Sequence, residues 1–74
     1  MAKLPVLSGR DILKILTKNG FVTVGQKGSH IRLKKITASR VYITVVPMHN
    51  EIPIGTLKSI IRQSGLSEDE FRKK

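Results

Sequence analysis

The chain has 74 residues with no cysteine or tryptophan, and 14 lysines and arginines against 5 acidic residues give a net charge of +9. This length predicts one domain over residues 1–74, with a small core that neither a disulfide nor a cysteine-ligated zinc can reinforce. No apolar run reaches the ~18 residues of a transmembrane helix, and the N-terminus lacks signal-peptide features, so we expect a cytoplasmic protein that does not enter the membrane.

The first helix is predicted over residues 9–19. Ser8 is a favourable N-cap, and Asp11 three positions later forms an acidic variant of the capping box. The apolar residues of the segment share one helical face: Ile12, Leu13, Ile15 and Leu16. Gly20 is suited to the left-handed conformation that ends a helix.

Three strands follow, because the hydrophobic period changes from 3.6 to 2 residues. Residues 21–24 are β-branched and aromatic, residues 30–34 alternate polar with apolar side chains, and residues 41–46 are the most β-prone stretch. Two glycines within residues 25–28 predict the first turn, and residues 36–40 form the next connection. A proline directly after the third strand ends it.

A second helix is expected after a short loop. Pro53 suits its first position, and Gly65 ends it. Its apolar face comprises Ile54, Leu57, Ile60 and Ile61. Residues 67–70 form a capping box with Leu66 and Phe71 as its apolar partners, which predicts a short final helix. That helix is expected to end within Arg72, Lys73 and Lys74.

The expected fold is therefore α+β with the order α-β-β-β-α. A three-stranded antiparallel meander is covered on one face by both helices, in a two-layer sandwich. The other face of the sheet is left toward solvent or a partner.

Positive charge is concentrated in the first part of the chain. Residues 1–40 carry nine basic residues and one acidic residue, whereas residues 41–74 carry five basic and four acidic residues. Such a surface predicts a polyanion partner, nucleic acid above all. A surface that only aids solubility is the alternative.

The second strand contains the most informative residues. Alternation puts Ile31 and Leu33 on one face, and the polar side chains share the open face with a lysine just upstream: His30, Arg32, Lys34 and Lys27. Cations without a nearby carboxylate suit a phosphate better than a divalent metal. We therefore predict neither a metal nor a cofactor.

The turn before this strand adds to the phosphate prediction. It comprises Gln26, Lys27, Gly28 and Ser29. Gly28 permits close approach of the backbone to a ligand, and successive N–H groups in such a turn can bind an anion. Beside a bound phosphodiester, His30 could deprotonate a ribose 2′-OH or protonate the leaving oxygen, while the cations stabilise the developing charge. This is metal-independent RNA cleavage in outline.

Each of these residues also has a non-catalytic interpretation. His30 could be an ordinary surface residue, Gly28 could serve only the turn, and the cations could be solvated or bind phosphate without chemistry. His49, in the loop after the third strand, is a possible secondary catalytic residue or a local hydrogen-bonding group. Candidates for a second proton transfer are His49, Ser29, Tyr42 and water.

Five segments stand in order along nearly the whole chain: Ser8-Gly9, Gly20-Phe21, Gly28-Ser29-His30, Val45-Val46-Pro47-Met48-His49 and Gly55-Thr56-Leu57-Lys58-Ser59-Ile60-Ile61-Arg62-Gln63-Ser64-Gly65-Leu66-Ser67. With them, the chain resembles the HicA family, also called YcfA-like. The Gly-Ser-His motif followed about 25 residues later by Gly-Thr-Leu is its most specific feature.

The resemblance implies a toxin of a type II toxin–antitoxin module with a double-stranded-RNA-binding-domain-like fold. It implies a translation-independent mRNA interferase whose partner antitoxin, HicB, masks the active site. His30 matches the family's catalytic histidine, and we expect Lys27, Gly28, Ser29, Arg32 and Lys34 to bind the phosphates of mRNA, single-stranded or structured. Ile54 stands where many members have a basic residue, which removes one possible RNA contact.

Two other functions are compatible with these residues. One is a non-catalytic RNA-binding module that uses the same surface. The other is an interaction domain bound by an acidic protein through its basic face, which is compatible with a toxin whose antitoxin covers His30.

Overall fold

The computed structural model describes residues 3–72. Its elements are α1 (Gly9–Lys18), β1 (Val22–Lys27), β2 (His30–Ile36), β3 (Val41–Pro47), α2 (Ile54–Ser64) and α3 (Glu68–Arg72). This order confirms the predicted α+β fold. Lys73 and Lys74, in which the last helix was expected to end, lie outside the described residues. Within residues 3–72, every helix falls short of the length and apolar character that crossing a membrane requires.

The three strands form an antiparallel sheet in the order β1-β2-β3. In β2 and β3, one face of the sheet is buried, at Ile31, Leu33, Thr44 and Val46. These positions pack against both helices, and the apolar core comprises Leu7, Ile12, Ile15, Leu16, Phe21, Ile31, Leu33, Val46, Ile52, Leu57, Ile60, Ile61 and Phe71. The helices therefore cover one side of the sheet, and the opposite side, called the open face below, is exposed.

Local sequence signals account for both ends of α1. The Ser8 hydroxyl accepts from the Asp11 amide at 3.0 Å, and the Asp11 carboxylate accepts from the Ser8 amide at 3.0 Å. This reciprocal pair is the predicted capping box. The amide of Phe21 then donates to the Leu16 carbonyl at 3.0 Å, and the buried Phe21 ring enters the core.

The first hairpin is tighter than predicted. β1 extends to Lys27, which pairs with His30, so the turn contains only Gly28 and Ser29 and not residues 25–28. Gly28 has a φ of +59°, as the first central position of a type II′ turn requires. Gly25 instead belongs to the strand, beside a shift of register that follows Thr23. A glycine is well suited to such a bulge.

The second helix differs from prediction at its beginning. Pro53 is its N-cap and not its first helical residue. Ile54 was assigned to the apolar face, and this is wrong, because its side chain is 54% exposed. Its place in the first turn puts it beyond the core, in a surface groove shared with residues 3–6. The buried face begins at Leu57 and includes Ile60, Ile61 and Ser64.

The end of α2 is held against β3. Gly65 has a φ of +71°, and a Cβ added there would lie 2.9 Å from Cζ of Tyr42. The Thr44 hydroxyl donates to the Gln63 side-chain carbonyl at 2.9 Å across the same interface. Gly65 therefore serves both as the left-handed cap and as the point of close approach to the sheet.

Candidate active site on the open face of the sheet

Strand register brings the basic side chains of the open face together. Lys27 lies opposite His30, Gly25 and Val45 flank Arg32, and Val22 and Ile43 flank Lys34. Residues directly opposite one another share a face of the sheet. His30, Arg32 and Lys34 therefore follow one another along the centre of the open face, in the alternation that the sequence of β2 predicts.

A shallow cavity of about 380 Å³ lies at one end of this row. Its lining residues are Gly25, Gln26, Lys27, His30, Arg32 and Val45. The cavity thus joins three of the residues selected from the sequence, namely His30 and two cations. None of its lining residues is acidic. The site is consequently electropositive and suited to an anionic group.

The remaining candidates lie around this cavity and do not line it. Lys34 occupies the next position along the row, half-buried between Val22 and Ile43. Gly28 and Ser29 form the hairpin turn next to His30, on the side of the cavity away from Lys34. The structure therefore separates a central cluster of His30, Lys27 and Arg32 from a periphery.

Sequence reasoning missed Gly25 as part of the site. Gly25 lies opposite Arg32, and a Cβ added to it would meet no other group within 4 Å. The side-chain amide of Gln26 donates to the Gly28 carbonyl at 3.1 Å and so stabilises the turn. A glycine within a β-prone segment was the available signal, but it was assigned to the turn.

A second histidine lies close to His30. The ring centroids of His30 and His49 are 6.4 Å apart, with their planes at 75°. The register explains this proximity, because His30 pairs with Pro47 and the chain reaches His49 two residues later. Both side chains are exposed. The structure thus brings together two imidazoles from different elements.

Tyr42 is removed from this site. It belongs to the helix-covered side of the sheet, where its ring packs on the core and contacts the Arg40 guanidinium at 4.6 Å. It also lies five residues along β3 from Pro47, roughly 17 Å at the usual rise of a strand. Tyr42 therefore cannot contact a group bound at His30.

Among residues 3–72, no three His, Asp or Glu side chains are grouped so that they could together hold a metal ion. The open face offers imidazole rings, lysine and arginine cations, and backbone amides. An imidazole can transfer protons near neutral pH, and adjacent cations can stabilise a developing negative charge.

Comparison with known families identifies the family of this chain. No curated protein matches the sequence. A family model described as the HicA toxin of bacterial toxin–antitoxin systems matches residues 9–66. The matched segment runs from α1 through α2 and contains both His30 and His49. The chain therefore belongs to the HicA toxin family, and as such it is a toxin of a toxin–antitoxin system with an antitoxin as its partner.

Proposed function

We propose that this toxin is a metal-independent endoribonuclease, an mRNA interferase acting in the cytoplasm, with His30 in proton transfer. The observation that carries the proposal is the cavity on the open face. It places an exposed imidazole beside Lys27 and Arg32 in a lining without a carboxylate. A phosphodiester is the ligand that these groups fit best, and the 2′-OH that histidine can deprotonate is specific to RNA.

The cations have the complementary role. Lys27 and Arg32 border the same cavity as His30, so both can contact the phosphate on which His30 acts. They stabilise the additional negative charge that develops on the phosphate oxygens in the transition state. Lys34, together with the backbone of Gly28 and Ser29, extends this surface along the RNA backbone in both directions.

The test is RNA cleavage by the purified wild-type toxin with and without EDTA. We expect cleavage of mRNA at the same rate in both conditions, and growth arrest when the toxin is expressed alone. Intact RNA in both conditions, with normal growth on expression, would refute the proposed nuclease. Cleavage that EDTA abolishes would refute metal independence and leave the nuclease itself supported.

We also propose that the antitoxin partner is HicB-like and masks the open face. Aliphatic side chains flank the cations there, and Val22, Ile43 and Val45 are 60%, 52% and 39% exposed. These groups offer little to an RNA phosphate, but an acidic protein can bury them while it neutralises Arg32 and Lys34. A mixed apolar and basic surface therefore fits a protein partner as well as the substrate.

Ile43→Asp is expected to weaken the complex with the protein encoded by the neighbouring gene by at least about tenfold, because it buries a carboxylate against an acidic partner. Ile54→Asp is the matched control, since Ile54 is equally exposed, at 54%, but lies on α2. Gel filtration and titration calorimetry measure both, and thermal melting verifies that each variant is folded. Equal affinity of the two variants would place the antitoxin elsewhere.

A further inference from the structure

We infer that His49 is the second proton-transfer residue, so that His30 and His49 act as a general acid–base pair on one phosphodiester. The inference rests on the proposed RNA cleavage and assigns the step that one histidine leaves open. Each bond cleavage requires one proton to be removed and one to be supplied. The structure offers a second imidazole next to His30.

The separation of the two rings fits a shared substrate. Their centroids lie 6.4 Å apart in an edge-on arrangement, and within residues 3–72 neither ring hydrogen bonds to another residue. An imidazole nitrogen reaches a substrate oxygen at about 2.6–3.2 Å. Two rings at this separation can therefore contact the attacking and the leaving oxygen of a phosphate that lies between them.

The backbone holds His49 in this place from both sides. The His49 carbonyl accepts from the Gly9 amide at 2.8 Å, and the Met48 amide donates to the Ser29 carbonyl at 2.6 Å. A Cβ added to the buried Gly9 would lie 2.8 Å from the Met48 Cα, which shows how closely α1 packs on this loop. The loop is thus joined to the turn that precedes His30, and the His49 ring is free for a ligand.

The other candidates for the second transfer fit less well. Tyr42 lies on the covered side of the sheet. A serine hydroxyl such as that of Ser29 does not change its charge between pH 5 and 8, whereas histidine does. Lysine and arginine are the usual side chains that contact phosphate oxygens, which suits Lys27 and Arg32 to holding the substrate. Water remains, and the experiment below distinguishes it from His49.

The proposed step balances without a co-reactant. One neutral imidazole takes the proton of the ribose 2′-OH while the O2′–P bond forms. The P–O5′ bond breaks, and the other imidazole, protonated, gives its proton to O5′. The products are a 2′,3′-cyclic phosphate and a 5′-hydroxyl, and proton exchange with water then restores both rings.

The test compares two RNA oligonucleotides that differ in one bridging atom at the cleaved linkage, O5′ or sulfur. A thiolate leaves without being protonated, so the sulfur substrate does not need the acid. With the oxygen substrate, we expect His30→Ala and His49→Ala each to lose about 10²–10⁴-fold in rate. With the sulfur substrate, one of these variants should recover to within about tenfold of wild type, which identifies the acid, while the other stays slow.

Asn50→Ala is the matched control, because Asn50 is the exposed neighbour of His49 in the same loop. It should cleave both substrates at the wild-type rate, and thermal melting should show all three variants folded. A His49→Ala rate within threefold of wild type on the oxygen substrate would overturn the inference in favour of water. Rescue of both variants, or of neither, would also overturn it. If the wild type cleaves neither substrate, the proposed nuclease itself fails, which is a distinct result.

Discussion

Replacing His30 with alanine is expected to reduce RNA cleavage by about 10²–10⁴-fold, the usual contribution of a general acid or base. The same change should leave the fold intact, because His30 is exposed on the open face and its side chain is not part of the core. Binding of RNA should persist, since the charge that holds phosphate comes from Lys27 and Arg32. Loss of cleavage with retained binding is the signature of a catalytic group.

Two measurements separate cleavage from binding. One is the rate at which a defined mRNA is cleaved, and the other is the affinity for RNA at several salt concentrations. His30→Ala should show the wild-type dependence of log K on log salt, whereas Arg32→Ala should reduce its slope by about one. Lys14→Ala removes an exposed charge on α1 and should change neither measurement. Wild-type cleavage by His30→Ala would exclude a role in proton transfer. Salt-dependent binding without cleavage by any variant, wild type included, would instead favour a non-catalytic RNA-binding module.

Replacing Phe71 with alanine is expected to lower the free energy of unfolding by about 3–5 kcal/mol. Phe71 is fully buried in the core, although α3 has only five residues and lies beyond the matched family segment. A helix this short is not stable alone, so packing of Phe71 must hold it in place. A chain of 74 residues has a total stability of about 4–11 kcal/mol. The variant should therefore lose a large fraction of its stability.

Urea denaturation followed by circular dichroism measures this loss. Asp69→Asn is the matched control in the same helix: its carboxylate contacts Arg72 at 2.7 Å but is 79% exposed, and such ion pairs contribute about 1 kcal/mol or less. If Phe71→Ala lowers the free energy of unfolding by no more than this control does, packing of α3 does not stabilise the core.

Features that depend on neighbours in the chain were determined by the sequence. The capping box of α1 joins Ser8 and Asp11, three residues apart. Alternation along β2 assigned Ile31 and Leu33 to the core and His30 to the open face without knowledge of the partners. Such patterns are readable because a helix or a strand repeats over a few residues.

Features that depend on contacts between distant segments were decided only by the tertiary structure. Pairing of β1 with β2 set the length of the hairpin turn at two residues and put Gly25 opposite Arg32. Packing at the start of α2 left Ile54 outside the core.

The same holds for the pair of histidines, which lie 19 positions apart in the chain. The sequence identified His30 and His49 separately, each as a candidate for proton transfer. The register of β2 on β3 and the docking of the loop on Gly9 bring their rings to 6.4 Å. Register and docking are set by the whole core, because they depend on which surfaces bury each other, and no local pattern specifies them.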